Sequence, residues 1–409
     1  MNFGLLGRKL HHSLSPKIHG MLGNYKYDLF CKEPEELKSF LNSGQFDGLN
    51  VTIPYKLDVI PFCHTLSDTV KKIGSANTIV KDNNDLLHAH NTDYFGFKYL
   101  IKYHNFNIKN KKALILGSGG SSLTVKAVLN DLGAREIITV SRTGSANYKN
   151  IYNHDDAEII INTTPVGMYP EFEGKLIELE RFKNCFAVID LIYNPMRTEL
   201  LIKAKELSIP YTGGMLMLVA QAFKAAELFT KQKLDETIIE KICSEIIFSR
   251  RNIVLIGMPG SGKSSIASEL FKMININVID TDEMIKKSEK MKISDIFNEH
   301  GEDYFRKAES KEIISAAEKS GNIISVGGGA VLSKENRKAL MRNSIVFYIK
   351  RDINKLSLTG RPLSKNLEVL KEMEKERAPL YNKMADIIIN AEEGNINSTA
   401  KKIKKLLQI

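Results

Sequence analysis

The run Gly257-Met-Pro-Gly-Ser-Gly-Lys263-Ser264, set directly behind the apolar stretch Asn252-Ile-Val-Leu-Ile256, constrains this chain more than any other feature. It has the Gly-x-x-x-x-Gly-Lys-Ser spacing of a loop whose backbone N–H groups surround a polyphosphate. In such a loop the lysine meets phosphate charge and the hydroxyl meets Mg²⁺. The glycines are required because the backbone must approach the phosphates at angles that a Cβ forbids. Helix-like sequence, Ser265-Ile-Ala-Ser-Glu-Leu-Phe271, follows at once. The pattern predicts a strand–loop–helix unit opening a P-loop domain, with nucleotide contacts at Gly260, Ser261, Gly262, Lys263, Ser264 and Ser265.

A loop of this kind belongs at the start of its domain, so the long stretch before it needs a fold of its own. A chain of 409 residues has room for two or three domains. With 43% hydrophobic and 26% charged residues it reads as soluble and globular, and no apolar run is long enough to span a bilayer. Cys31, Cys63, Cys185 and Cys243 show neither metal nor disulfide spacing, which fits a reducing, cytoplasmic setting. The net charge of +10 raises nucleic acid as a partner. Its lysines, however, are scattered along helical faces with no recognition signature, so the expected partners are small anionic substrates and not nucleic acid or membrane.

Between Lys112 and Tyr211, β-rich runs alternate with helical patterns. Ala113–Leu116, Ile137–Val140, Glu158–Ile161 and Ala187–Asp190 read as strands of a parallel sheet. The first turn, Gly117-Ser118-Gly119-Gly120-Ser121-Ser122, crosses from strand to helix and suits a dinucleotide pyrophosphate at the helix N-terminus. After the second strand an NAD site places an acidic residue; here stand Ser141-Arg142-Thr143. An arginine and hydroxyls receive a 2′-phosphate where a carboxylate repels it, so the expected cofactor is NADP.

The first hundred residues carry strand-like runs at Phe3–Leu6, Asp47–Val51, Ala76–Val80 and Leu86–His90. Each run ends in polar residues: Ser13 and Ser15, Asn50 with Thr52 and Lys56, Asn77-Thr78, and Asn91-Thr-Asp93. Ligands collect at the carboxyl ends of strands in open α/β sheets, so this set predicts a pocket for a small polyhydroxylated acid. A later apolar helix holds a polar Gln221, and a second helix from Leu234 to about Phe248 leads to the polar joint Ser249–Asn252.

Taken together, His12-Ser13-Leu-Ser15-Pro16, Asn50-Val-Thr52-Ile-Pro-Tyr-Lys56, Asn77-Thr78, Asn91-Thr-Asp93, Gly117–Gly120, Asn162-Thr-Thr-Pro165-Val-Gly167-Met168, Asp190-Leu-Ile-Tyr193-Asn-Pro195 and Met217–Gln221 resemble shikimate dehydrogenase. The resemblance covers about residues 1–248. It implies NADPH-dependent reduction of 3-dehydroshikimate, with Lys56 and Asp93 as the catalytic pair. It places Ser13, Ser15, Thr52, Asn77, Asp93, Tyr193 and Gln221 on the substrate. Gly117 to Ser121, Ser141, Arg142, Thr143, Leu191 and Gly214 fall on the cofactor. A lysine ammonium suits the proton that a reduced ketone needs, and Asp93 would orient it. Gly20 and Ser141 stand where the family commonly has asparagine.

From Ile253 onward the chain resembles shikimate kinase, on the P-loop, Asp280-Thr-Asp282, Gly301-Glu302…Arg306…Glu309, Gly327-Gly328-Gly329, Arg361-Pro-Leu363 and Glu376-Arg377-Ala-Pro379-Leu-Tyr381. The resemblance implies transfer of the γ-phosphoryl of ATP to the 3-hydroxyl of shikimate. It puts Asp282, Arg306, Gly328 and Arg377 on shikimate and Arg361 on the closing lid. Arginines grip a carboxylate bidentately, Asp282 orients the attacking hydroxyl, and Lys263 and Arg361 neutralise phosphoryl charge. Ser264 and Asp280 are the expected Mg²⁺ residues. The lid stretch Lys355–Gly360 lacks the further arginine that many members carry.

The product of the first reaction is the substrate of the second, which predicts a fused, bifunctional enzyme of aromatic amino-acid biosynthesis. The expected architecture is α/β throughout. A substrate lobe (1–100 and 213–248) and a Rossmann-like NADP lobe (101–212) precede a P-loop kinase domain with a parallel sheet (250–409), and each half is expected to fold and work alone. A quinate/shikimate dehydrogenase of relaxed specificity, or one half kept as a non-catalytic module, stays open from sequence, as does self-association.

Overall fold

A computed structural model describes residues 1–10, 13–172, 174–356, 367–391 and 395–407. The chain falls into two compact units. One comprises Met1–Asn194 and Leu207–Ile246, the other Pro195–Glu206 and Ile247–Ile409.

The first unit holds two sheets. Asn2–Gly7 lies between Lys26–Cys31 and Gly48–Val51, all parallel; Thr78–Lys81 and Leu87–His90 continue the sheet antiparallel, with Thr65–Leu66 at the far edge. The second sheet is wholly parallel, in the order Tyr211–Thr212, Ala187–Asp190, Ile159–Asn162, Lys112–Leu116, Glu136–Val140. Its central strands are continuous apolar runs because both faces are covered: Leu114, Ile115, Ile160 and Val188 are fully buried. The strand Lys26–Cys31 has no counterpart among the expected strands. It is an exposed edge whose residues alternate weakly, so its sequence carries little periodic signal.

Two helices bring the polar strand ends together. Thr92–Tyr103 is capped by Asn91, whose side chain accepts from the Tyr94 N–H. It packs along Met215–Thr230 at Gly96, where a Cβ would meet the Met217 carbonyl at 2.7 Å. The helix Gly120–Asp131, which follows the first strand of the second sheet, begins inside the glycine-rich turn, with Gly119 at its N-cap.

The second unit is built on one parallel sheet, Val278–Asp280, Ile323–Ser325, Asn252–Ile256, Ser344–Lys350, Ile387–Asn390. Its core includes Val254, Ile256, Ile324, Val346, Tyr348 and Tyr381, and also Ile202 from Glu199–Glu206. Residues 195–206, expected in the dinucleotide lobe, therefore pack in the second unit. Arg197 donates to the carbonyls of Met341 and Ser344 and to Asp386 Oδ1 at 2.8 Å, and Lys205 also reaches Asp386. Asp386 Oδ2 in turn accepts the Val346 N–H. Burial opposes ionisation of Asp386, but the charges of Arg197 and Lys205 hold its carboxyl below the usual range.

Candidate active sites

In the first unit the expected catalytic pair meets. Lys56 Nζ lies 2.6 Å from Asp93 Oδ2, with both side chains largely buried. Asp93 sits in the first turn of its helix, where the aligned N–H groups favour a carboxylate. A longer contact of 3.4 Å runs from Lys56 to Ser121 Oγ on the glycine-rich loop. The loop comes this close because residue 120 has no side chain: a Cβ there would stand 3.0 Å from Ser75 Oγ and 3.3 Å from Lys56 Cβ.

Behind the pair runs a buried chain of hydrogen bonds. Asn77 Nδ2 donates to Thr92 Oγ1 at 3.0 Å and to Gln221 Oε1 at 3.3 Å, while its Oδ1 accepts from the Thr92 N–H at 2.6 Å. Thr78 joins Asn77 to Asn50, and Tyr27 donates to Asn50 Oδ1 at 2.8 Å. Thus Asn77 and Gln221, 144 positions apart, share one network. Ser13 and Ser15 lie together at the start of Ser15–Leu22, the Ser15 N–H donating to Ser13 Oγ. Thr52 follows the strand Gly48–Val51 and donates its N–H to the Leu6 carbonyl.

Tyr27 and Thr92 belong to this network and were absent from the expected site residues. Thr92 could have been found, since it lies inside the Asn91-Thr-Asp93 run; Tyr27, on the edge strand, carries no local signal. Its ring stacks on buried His19 with centroids 3.9 Å apart, and burial pushes that imidazole down to about 3, so it is neutral at physiological pH.

The expected cofactor residues form a second cluster. Gly117 adopts φ 108°, a left-handed conformation, and a Cβ there would meet Thr163 Oγ1 at 2.7 Å. Gly119 caps the helix and faces open space, with no atom within 4 Å of where its Cβ would stand. Ser118 lies between these two glycines. Gly214 lies against the Leu191 backbone, 2.5 Å from its carbonyl carbon at the Cβ position, so these two residues are in direct contact. Tyr193 follows two residues on. Ser141 closes a small loop, its N–H donating to the Ala146 carbonyl, which leaves Arg142 and Thr143 exposed.

In the second unit, Gly257, Gly260 and Gly262 all have positive φ (149°, 84° and 91°), as the loop requires. Gly262 caps Lys263–Ile274 and again has nothing within 4 Å of a Cβ position. Lys263 Nζ donates to the carbonyls of Gly257 and Met258 at 2.9 and 3.0 Å. Ser261 is buried inside the loop and Ser265 exposed on the helix. Ser264 Oγ donates to Asp280 Oδ2 at 2.7 Å, while Asp280 Oδ1 caps Thr281–Glu289 through the N–H groups of Asp282 and Glu283.

Opposite the loop, the three consecutive glycines each admit a different group. A Cβ at Gly327 would stand 2.9 Å from Glu309 Oε1 and 3.0 Å from Asp282 Oδ1. One at Gly328 would meet Pro259 at 2.6 Å, and one at Gly329 would fall on the Arg306 guanidinium. Arg306 donates to Glu309 Oε2 at 2.7 Å and to Glu302 Oε1 at 2.9 Å. Burial, with the Asp280 carboxylate beside it, pushes Asp282 above the usual carboxylate range against the pull of Lys263. Burial likewise raises Glu309, against the pull of Arg306. Arg377 is buried and its Nε has no hydrogen-bond partner among the described residues. Glu309 and Tyr381, which carry no role in the sequence reading, sit against two of the expected site residues: Glu309 accepts from Arg306, and Tyr381 donates to the Gly328 carbonyl at 2.5 Å. Arg361 lies outside the described residues.

Each unit thus sets an open helix N-terminus beside its own charged groups, and known proteins divide along the same line. Residues 259–408 match the family model described as shikimate kinase, and residues 5–79 match that of the shikimate dehydrogenase substrate binding domain. The shikimate dehydrogenase (NADP(+)) of Clostridium beijerinckii is 38% identical over 264 residues, which are 59% of this chain and 96% of that protein. A crystal structure of shikimate dehydrogenase 1 from Peptoclostridium difficile aligns with a TM-score of 0.57 at 34% identity, covering 60% of this chain and 97% of that one. Shikimate 5-dehydrogenase from Thermus thermophilus, in complex with NADP(H) and shikimate, aligns at 0.55 with 27% identity, covering 60% and 99%.

Proposed function

Since the chain belongs to the shikimate dehydrogenase family and carries a shikimate kinase domain behind it, we propose that it converts 3-dehydroshikimate to shikimate with NADPH and then phosphorylates the 3-hydroxyl with ATP. The observation that carries this reading is the paired design: Gly119 and Gly262 each cap a helix and face open space, so each unit offers its own phosphate cradle. When bound, NADPH supplies the hydride, and ATP with Mg²⁺ supplies the phosphoryl group.

Lys56 gives its proton to the oxygen of the carbonyl being reduced, and Asp93, 2.6 Å away, holds the ammonium in place. Ser13, Ser15, Thr52, Asn77, Tyr193 and Gln221 hold the substrate's hydroxyls and carboxylate. The shared network of Asn77, Thr92 and Gln221 fixes the rotamers of this wall, so orientation is set before the substrate arrives. Exposed Arg142 and Thr143 with Ser141 would receive a 2′-phosphate, and Leu191 and Gly214, in direct contact with each other, would lie against the cofactor.

In the kinase unit, Arg306 and Arg377 grip the shikimate carboxylate; the unpartnered Nε of Arg377 supports that role. Asp282 would orient the 3-hydroxyl and take its proton as that oxygen bonds the γ-phosphorus, the bond to the β,γ-bridging oxygen breaks and ADP leaves. Lys263, which donates to the carbonyls of Gly257 and Met258, would hold phosphate oxygens when the nucleotide is bound, and Arg361, outside the described residues, would neutralise phosphoryl charge. The oxygen donors of Ser264 and Asp280, already joined at 2.7 Å, suit Mg²⁺ or one of its waters. Purified protein given 3-dehydroshikimate, NADPH, ATP and Mg²⁺ is expected to accumulate shikimate 3-phosphate. Accumulation of shikimate alone, or of neither product, overturns the reading for the corresponding unit.

A further inference from the structure

The pair Ser264–Asp280 leaves one neighbouring hydroxyl without a role. Ser325 ends the strand Ile323–Ser325, between Val278–Asp280 and Asn252–Ile256; register sets it beside Asp280 on one side and Leu255 on the other. It is 2% exposed, and its Oγ lies 3.2 Å from Ser264 Oγ.

The direction of that contact follows from counting protons. Ser264 has one hydroxyl proton, and Asp280 Oδ2 takes it at 2.7 Å. The hydroxyl donates and the carboxylate oxygen accepts, so that proton is not available to Ser325. Between the two serines the donor is therefore Ser325. A hydroxyl oxygen has one proton and two lone pairs. On Ser264 the proton is spent on Asp280 and one lone pair accepts from Ser325, so a single lone pair is left.

We propose that Ser325 is a positioning residue of the kinase: its hydroxyl orients Ser264 so that this remaining lone pair is presented to the divalent cation that accompanies the nucleotide. The inference rests on the reading of Ser264 and Asp280 as the cation-holding residues. It also explains why a hydroxyl stands at the buried end of a strand whose other residues, Ile323 and Ile324, are apolar. Without it, Ser264, on the exposed first turn of its helix, keeps only its bond to Asp280 and can rotate its free lone pairs toward water.

The test uses the whole chain and reads ADP binding by calorimetry across a Mg²⁺ series, with an EDTA arm. The parent, Ser325→Ala, Ser325→Thr and Ser264→Ala are compared, and dehydrogenase activity of the same polypeptide gauges intact protein. Ser325→Ala is expected to raise the Mg²⁺ concentration for half-maximal tightening of ADP about three- to tenfold, as loss of one hydrogen bond predicts. ADP affinity in EDTA should stay unchanged, Ser325→Thr should return to within about twofold of the parent, and Ser264→Ala should exceed Ser325→Ala in its effect. An unchanged Mg²⁺ dependence in Ser325→Ala, while Ser264→Ala shifts it, overturns this inference alone. No shift in Ser264→Ala removes the metal-site reading beneath it. Equal weakening with and without Mg²⁺ shows that Ser325 only props the loop, which also overturns the proposal.

Discussion

The guanidinium of Arg306 occupies the space that a side chain at Gly329 would fill: a Cβ there would stand 2.7 Å from both Cζ and Nη2. Glu309 and Glu302 also hold the guanidinium through hydrogen bonds, so it has little freedom to retreat. Gly329 itself has φ −90°, which any residue adopts, so a substitution there tests space and not backbone strain. Gly329→Ala is expected to push Arg306 off the substrate carboxylate and raise KM for shikimate at least tenfold, the scale of one charge-assisted contact. Dehydrogenase kinetics should not change. A KM within about twofold of the parent would show that Arg306 does not bind the carboxylate from this position.

Lys56→Ala separates the two chemistries from the other side. Removing a general acid costs roughly 10²–10⁴-fold in rate, so kcat for 3-dehydroshikimate reduction should fall by that much. NADPH affinity and kinase activity should remain near parental values. The role given to Lys56 fails if the loss is under about tenfold.

Asp282 ties function to stability. Its carboxyl is raised above the ordinary value of 3.8, first by burial and then by Asp280. A raised acid binds its proton more tightly folded than unfolded. The stability this contributes is complete below the ordinary value and is lost as pH rises through the raised one. At neutral pH the parent therefore carries the cost of a buried charge that Asp282→Asn does not. The variant should have a higher Tm than the parent near pH 7, a gap that closes toward pH 4, and kinase activity lowered by about 10² or more. A lower Tm at pH 7 would show that Asp282 stabilises the fold as an anion.

Cutting the chain at the polar joint gives a sharper test of its organisation than the sequence suggests. A fragment of residues 250–409 lacks Ile202, Arg197 and Lys205, and so leaves Asp386, largely buried, without the two cations that contact it directly. Breaking a buried ion pair from one side costs about 3–5 kcal/mol. The fragment is expected to unfold at markedly lower denaturant than the same unit within the whole chain, measured by kinase activity. Equal midpoints would mean that 195–206 adds nothing to the second unit.

How much of this was legible in sequence follows the range of the interactions. The phosphate loop and the Gly117–Ser122 turn can be read because backbone angles are set by neighbours in the chain: Gly117 and Gly262 need positive φ wherever they occur. Lys56 and Asp93 were readable as strand-end residues once the alternation of elements was seen. Tyr27, Ser325 and Arg197 were not. Their meaning comes from partners 23, 61 and 189 positions away, and nothing local marks a tyrosine on an edge strand or a serine ending an apolar one.

The discontinuity at Pro195–Glu206 also imposes an order on biosynthesis. The first unit has its whole chain once Ile246 has emerged, but Ile202, Arg197 and Lys205 must wait for Asp386 and the strands around it. About 180 residues of translation, from position 206 to 386, separate the two events. At about 5–20 residues per second that is roughly 10–40 s, during which the segment carrying Ile202, Arg197 and Lys205 waits for its partners on a nascent chain whose first unit has all of its residues.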